Sequence, residues 1–240
     1  MKLSLAHNDS EERAKIIAHE YEDFAYIVSH DLNAPLRHVK EFTRLLVGAR
    51  EQNLTQEEKE YVGFLRLSLD KLEEMQAALL AFSRLNTANG PMELLDLNET
   101  LSMVLAELEP KIERFSPAFE ADKLPKVFAE PKQMKLLFLC LLDNAIKFHH
   151  PQSPKRKVGL YVTDQGDSWL FEVRDNGIGI AEGLEEQVFR MFRRLQPDDY
   201  SGIGAGLTIA HKIVQLHDGE MVIESIPEKG TSVFFCLPKA

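Results

Sequence analysis

The sequence has no stretch able to cross a bilayer as a helix. Its longest unbroken apolar run, Leu136–Leu142, is seven residues, against the roughly 20 that a spanning helix needs. The N-terminus, MKLSLAHNDSEER, turns polar too early for a secretory signal. Cysteine is scarce. Cys140 and Cys236 are the only two, which excludes a disulfide framework, and both sit in apolar runs, so they read as reduced core residues of a cytosolic protein. Positive charge is in deficit: 28 Lys and Arg face 38 Asp and Glu, a net charge of −10. Such a surface repels phosphodiester backbones, which argues against nucleic acid as a partner. There is no GxxxxGK[ST] loop, no GxSxG elbow and no HExxH helix. His149 and His150 are adjacent, and His211 and His217 are six apart; neither spacing aligns two imidazoles on one helix face for zinc. Internal repeats and low-complexity segments are also missing.

What is present is an ordinary globular mix, 44% hydrophobic and 28% charged over 240 residues, enough for one large domain or two small ones. The hydrophobic period divides the chain. Phe24, Ile27, Val28, Leu32, Val39, Phe42, Leu45 and Leu46 share one broad helical face. The polar stretch Gly48–Thr55 interrupts it. Then Val62, Leu65, Leu69, Leu72, Gln76 and Leu79 recur at spacings of three and four, a heptad-like stripe. Two such helices with a short connection predict an antiparallel hairpin. A hairpin alone cannot cover both stripes. A second copy would, so packing predicts a homodimer closed as a four-helix bundle.

Asn86–Pro91 is a turn-rich linker. Beyond it the spacing predicts strands at Leu94–Leu97 and Lys126–Ala129, and a helix from an Asn98 N-cap to about Arg114. A very apolar helix is expected from Pro131 to about His149. Val158–Thr163 with Trp169–Arg174, and Met221–Ser225 with Thr231–Leu237, read as two hairpins flanking a helix over Ala205–His217. The fold class is therefore a helical hairpin followed by an α/β sandwich, with helices on one face of a mixed sheet. The boundaries expected are 1–88 for the hairpin, 89–94 for a linker and 95–240 for the α/β domain.

Three constellations carry chemistry. Asp175-Asn-Gly-Ile-Gly-Ile180 follows a predicted strand, and Gly202-Ile-Gly-Ala-Gly-Leu207 precedes a predicted helix. Glycine lets backbone approach a ligand closely, and free N–H groups at a helix N-terminus attract phosphate. Each cluster alone could equally be a tight turn; together, with an acid and amides attached, they favour a phosphate cradle. The third is Leu141-Leu-Asp-Asn-Ala-Ile-Lys-Phe148, where Asn144 and Lys147 share a face of an otherwise apolar helix. An amide oxygen can ligate a hard cation such as Mg²⁺ and an ammonium can meet a phosphate. The alternative is that both side chains point to solvent.

In order, Asn144 with Lys147, Asp175-x-Gly177-x-Gly179, Phe189 with Phe192, and Gly202-x-Gly204-x-Gly206 resemble the four boxes of the ATP-binding domain of two-component histidine kinases. That domain belongs to an ATPase superfamily shared with gyrases and some chaperones. Upstream, Ser29-His30-Asp31-Leu32-Asn33-Ala34-Pro35-Leu36-Arg37 resembles the phospho-acceptor box of the same kinases, in the subgroup behind phytochrome-like sensors. The resemblance implies that Asn144 ligates Mg²⁺, that Lys147 contacts the phosphates, and that Asp175 accepts the adenine amino group. Gly177 and Gly179 would line the base pocket with Phe148 beside them. Gly202, Gly204, Gly206 and Leu207 would complete the nucleotide site. Phe189 and Phe192 would hinge a lid over Arg193–Ser201, in which Arg193 and Arg194 either screen phosphate charge or form a solvated basic turn.

His30 would be the nucleophile, with Asp31 holding the other ring nitrogen's proton. Pro35, five residues on, would bend the helix beside it. The implied activity is ATP-dependent phosphorylation of His30 and transfer to an aspartate on a response-regulator receiver domain. The input would come from a sensor domain or a separate sensor protein, and Ile16, Ile17 and Tyr21 could continue a helix from one. Ala34 stands where family members active as phosphatases carry Thr or Asn, which implies weak activity of that kind. Cys140 stands where Asn is common, which implies slower ATPase turnover. A catalytically weak phosphotransfer scaffold and an ATP-driven conformational ATPase are the alternatives.

Overall fold

A computed structural model describes residues 31–48, 53–87, 90–150, 155–195, 200 and 202–239. The chain divides into two compact units, Met1–Thr87 and Ala88–Ala240. In the first, helix α1 covers 31–48 and is unbroken through Pro35; α2 spans Gln56–Thr87. A capping box starts α2: the Thr55 hydroxyl accepts from the Glu58 N–H at 3.2 Å, and the Glu58 carboxylate accepts from the Thr55 N–H at 2.7 Å. Lys40 of α1 donates to Asp70 at 3.3 Å and Glu73 at 2.6 Å, both on α2, which sets the register of the two helices more than their stability. Of the heptad-like stripe, Leu69 and Gln76 are buried, whereas Leu65 and Leu72 are both 47% exposed. Leu32, Val39, Phe42, Leu45 and Leu46 on α1 are also exposed.

The second unit runs β1 (Glu93–Asp96), α3 (Leu97–Phe115), β2 (Ala118–Ala121), β3 (Lys126–Ala129), α4 (Pro131–Lys147), β4 (Lys157–Asp164) and β5 (Ser168–Asp175). A 3-10 turn (Glu185–Phe189), α5 (Gly206–Leu216), β6 (Met221–Ile226) and β7 (Gly230–Pro238) complete it. β1 and β3 form a two-stranded sheet; the larger sheet has the order β2-β4-β5-β7-β6. β2 pairs parallel to β4 and the other neighbours are antiparallel, so the sheet is mixed, as expected. Register puts Leu160 opposite Val173, and Phe171 opposite Phe235, which faces Met221. These line the buried face. α3 presents Leu97, Leu101, Val104 and Leu108 to the core, α4 presents Met134, Leu137, Phe138 and Leu141, and α5 presents Ile209, Ile213 and Val214. Phe171 stacks on Phe235 at 4.8 Å, and Phe138 reaches Phe235 at 6.4 Å. Each fully buried large side chain contributes about 1.5–3 kcal/mol.

Two helix starts matter for the site. Asp96, not Asn98, is the N-cap of α3: its carboxylate accepts from the Asn98 N–H at 3.0 Å. Asn98 instead exchanges two bonds with the Leu124 backbone, at 2.8 and 2.9 Å, pinning the β2–β3 loop. At α4, Pro131 takes the first position and the Glu130 carboxylate caps the Gln133 N–H at 2.6 Å. The Glu130 N–H donates to His217 Nε2 at 3.2 Å, while His217 Nδ1–H donates to the Ile213 carbonyl at 2.8 Å. A buried neutral imidazole thus fastens the end of α5 to the start of α4.

Candidate active site

The C-terminal turns of α4 carry Asn144, Lys147 and Phe148. α5 begins at Gly206 without a side-chain cap from Ala205, so its first N–H groups remain available to an anion. A Cβ on Gly206 would lie 3.4 Å from Asn144 Nδ2 and 3.8 Å from both Asn144 Oδ1 and the Cys140 Cβ. A Cβ on Gly202 would lie 2.7 Å from Lys147 Nζ. The second glycine cluster therefore lies directly against the amide–ammonium pair. Lys147 Nζ also sits 4.3 Å from the centre of the Phe148 ring. Leu207, half-buried, occupies the first turn of α5. Burial, with Asp143 adding repulsion, pushes the Cys140 thiol up to about 12, so it is a spectator and not a nucleophile.

The first glycine cluster reaches the same helix end from the other side. Asp175 closes β5. Its Oδ1 accepts from the Gly177 N–H at 2.8 Å and the Thr231 N–H at 3.3 Å. Burial nevertheless pushes its carboxyl up to about 6, the two backbone donors pulling the other way. A Cβ on Gly177 would strike the Phe148 carbonyl oxygen at 2.0 Å, and that oxygen accepts from the Ile178 N–H at 3.0 Å. Gly179 adopts φ 68°, with the Ile226 carbonyl 2.2 Å from where a Cβ would stand. Glycine is required at both positions.

Phe189 packs its ring 4.7 Å from His211 and accepts the Thr208 hydroxyl at its carbonyl, at 2.9 Å. Phe192 has φ 61° and donates its N–H to the Gly204 carbonyl at 3.0 Å. A Cβ on Gly204 would come 2.5 Å from the Arg193 carbonyl oxygen. Arg193 is exposed and donates to Gln187 at 3.0 Å; Arg194 donates to the Tyr200 carbonyl at 2.5 Å. His30 lies outside the described residues, as do 196–199 and Ser201 of the expected lid. Asp31 and Ala34 are exposed on α1. Sequence reasoning missed Thr231, the second donor to Asp175, because the contact joins strands 56 residues apart. It also passed over Tyr200, although an aromatic two residues ahead of a glycine cluster was a visible signal.

An apolar scaffold that gathers an amide, an ammonium, a desolvated carboxylate and two glycine loops at one helix end is the architecture of a nucleotide-binding ATPase. Residues 129–240 match the family of histidine kinase-, DNA gyrase B- and HSP90-like ATPases. Over 216 residues the chain is 34% identical to the phytochrome-like protein Cph1 of Synechocystis sp., covering 90% of this chain and 29% of that one. It is 30% identical to the adaptive-response sensory kinase SasA of Synechocystis sp., covering 99% and 64%. The crystal structure of full-length ShkA in complex with AMPPNP superposes with TM-score 0.67 at 25% identity, over 91% of this chain and 46% of that one. Residues 129–240 thus form an ATPase domain of that family, and the likeness to these kinases over about nine-tenths of the chain supports a sensor histidine kinase catalytic core. The chain spans just under a third of the length of the phytochrome-like relatives. No helix among the described residues is long and apolar enough to cross a membrane.

Proposed function

We propose that this core binds Mg·ATP, phosphorylates His30 and passes the phosphoryl group to an aspartate of a response-regulator receiver domain. The observation that carries the reading is the convergence of Asn144, Lys147, Asp175 and both glycine clusters on the C-terminal end of α4. These residues fit an adenine nucleotide. Asp175 commits one carboxylate oxygen to two backbone donors, leaving the other to accept from an exocyclic amine. The uncapped start of α5, with Lys147 against Gly202, supplies donors and charge for phosphates. Among the described residues no group of three or more His, Cys, Asp or Glu could hold a metal. Mg²⁺ would then be held by the Asn144 amide oxygen together with the phosphates it accompanies, as this ion commonly is. When bound, it neutralises charge on the transferring group. The protein's own contribution is positioning.

His30 would attack as a neutral imidazole, with Asp31 setting its tautomer. Residues 1–88 would form the dimerisation and phospho-acceptor hairpin, 89–94 a linker and 95–240 the catalytic domain. The exposed stripe on α1 and α2 supports a homodimer, and the receiver would dock on the hairpin near His30. A sensor, in the same polypeptide or separate, would supply the input. Dependence on ATP puts the core in the cytoplasm. Ala34 offers no hydrogen bond to orient a water, so phosphatase activity toward the partner is expected to be weak. Nucleotide selectivity tests the pocket: ATP should bind and GTP, which lacks the exocyclic amine at that ring position, should bind at least tenfold more weakly. Equal binding of the two would remove Asp175 from its role.

A further inference from the structure

Tyr200 stands two residues before the second glycine cluster. Its hydroxyl donates to the His149 carbonyl oxygen at 2.7 Å. Its ring lies 5.2 Å from the Phe148 ring, tilted by 49°, and meets the His149 ring edge-on at 6.1 Å. Its own carbonyl accepts from Arg194 at 2.5 Å. One side chain therefore grips the end of α4, while the same residue's backbone holds Arg194. Lys147 rests its ammonium 4.3 Å from the centre of the same Phe148 ring and against Gly202. Tyr200 and Lys147 thus both contact the Phe148 ring, and Gly202 lies two residues after Tyr200.

We propose that Tyr200 is a positioning residue for nucleotide binding, holding Arg194 and the start of the glycine cluster against Phe148 and thereby presetting Lys147 at the phosphates. The proposal rests on the nucleotide reading above. The Tyr200 hydroxyl bonds a backbone carbonyl, so its loss removes one hydrogen bond and leaves the ring contacts intact. Removing the ring takes away those contacts as well. A preorganised site loses affinity when its supports loosen, while the transfer step of an enzyme already saturated with ATP proceeds as before.

The test is titration of the full chain with Mg·ATP, alongside autophosphorylation measured over a range of ATP concentrations. Tyr200→Phe should weaken ATP binding about 3- to 10-fold and Tyr200→Ala further still. KM should rise in parallel, with the rate at saturating ATP within about twofold of the parent. Tyr200→Phe keeps the fold in either event and so decides the matter if Tyr200→Ala is unstable. Unchanged affinity in Tyr200→Phe overturns the proposal, as does a loss confined to the saturated rate. If the parent chain itself fails to bind ATP, the nucleotide reading falls first and takes this one with it.

Discussion

At the scale of single residues, Asp175 holds the site's main tension. Its carboxyl is pushed up to about 6 because burial outweighs two backbone donors. The unfolded chain titrates this group near 3.8, so the folded state binds the extra proton between those values. Its stabilising effect is complete below the lower value and is lost as pH rises through about 6, leaving a desolvated charge at neutral pH. Asp175→Asn keeps an acceptor for Gly177 and Thr231 and removes that charge. The variant should be more stable than the parent by about 1–3 kcal/mol at pH 7.5, with the gain shrinking toward pH 5, as read by denaturant melts at both pH values. It should also lose ATP affinity by at least tenfold, because an amide N–H would face the adenine amine. A variant that is both less stable and still tight-binding would refute this account of Asp175. Stability traded for a binding group is the pattern expected of a functional site.

At the scale of elements, α4 is the support on which the site is built. Its N-terminus is tied down by Glu130 and His217, and its C-terminus carries Asn144, Lys147 and Phe148. His217→Phe would leave the Glu130 N–H buried without a partner, at a cost of about 1–3 kcal/mol. Its thermal midpoint should fall by several degrees, while ATP affinity stays within about twofold, because the bond lies at the opposite end of the helix. A large affinity loss without destabilisation would show that the two ends are coupled. The same elements show what was legible beforehand. α4, α5 and the two hairpins were readable because their period and punctuation are local. The glycine clusters were readable because close backbone approach imposes a short-range spacing. β2 was not, since Ala-Phe-Glu-Ala is four residues long and gains its identity only from parallel pairing with β4. The cap of α3 was misplaced because Asp96 and Asn98 are both good cap formers two residues apart, and only the bonds of Asn98 to Leu124 distinguish them. Asp175's bond to Thr231 and Tyr200's to His149 were invisible because they join distant parts of the chain.

At the scale of the whole molecule, the helical hairpin presents apolar residues on both helices. Leu65 and Leu72 of α2 sit at the heptad-like spacing and are exposed, which suits a face that closes against a second copy. The parent chain should sediment at twice its 27.3 kDa mass. Leu65→Glu with Leu72→Glu should give a folded monomer with a low autophosphorylation rate but undiminished ATP binding; a variant that remains dimeric would move the interface elsewhere. Under the proposed function, the catalytic unit and the hairpin would act together in one event, the arrival of phosphate on His30. The most direct measurement is incubation of the purified chain with Mg²⁺ and γ-labelled ATP. The account predicts acid-labile, base-stable label on the parent chain and none on His30→Gln, which should still bind ATP. A parent chain that binds ATP and never acquires label, or a His30→Gln variant that labels equally well, would contradict it.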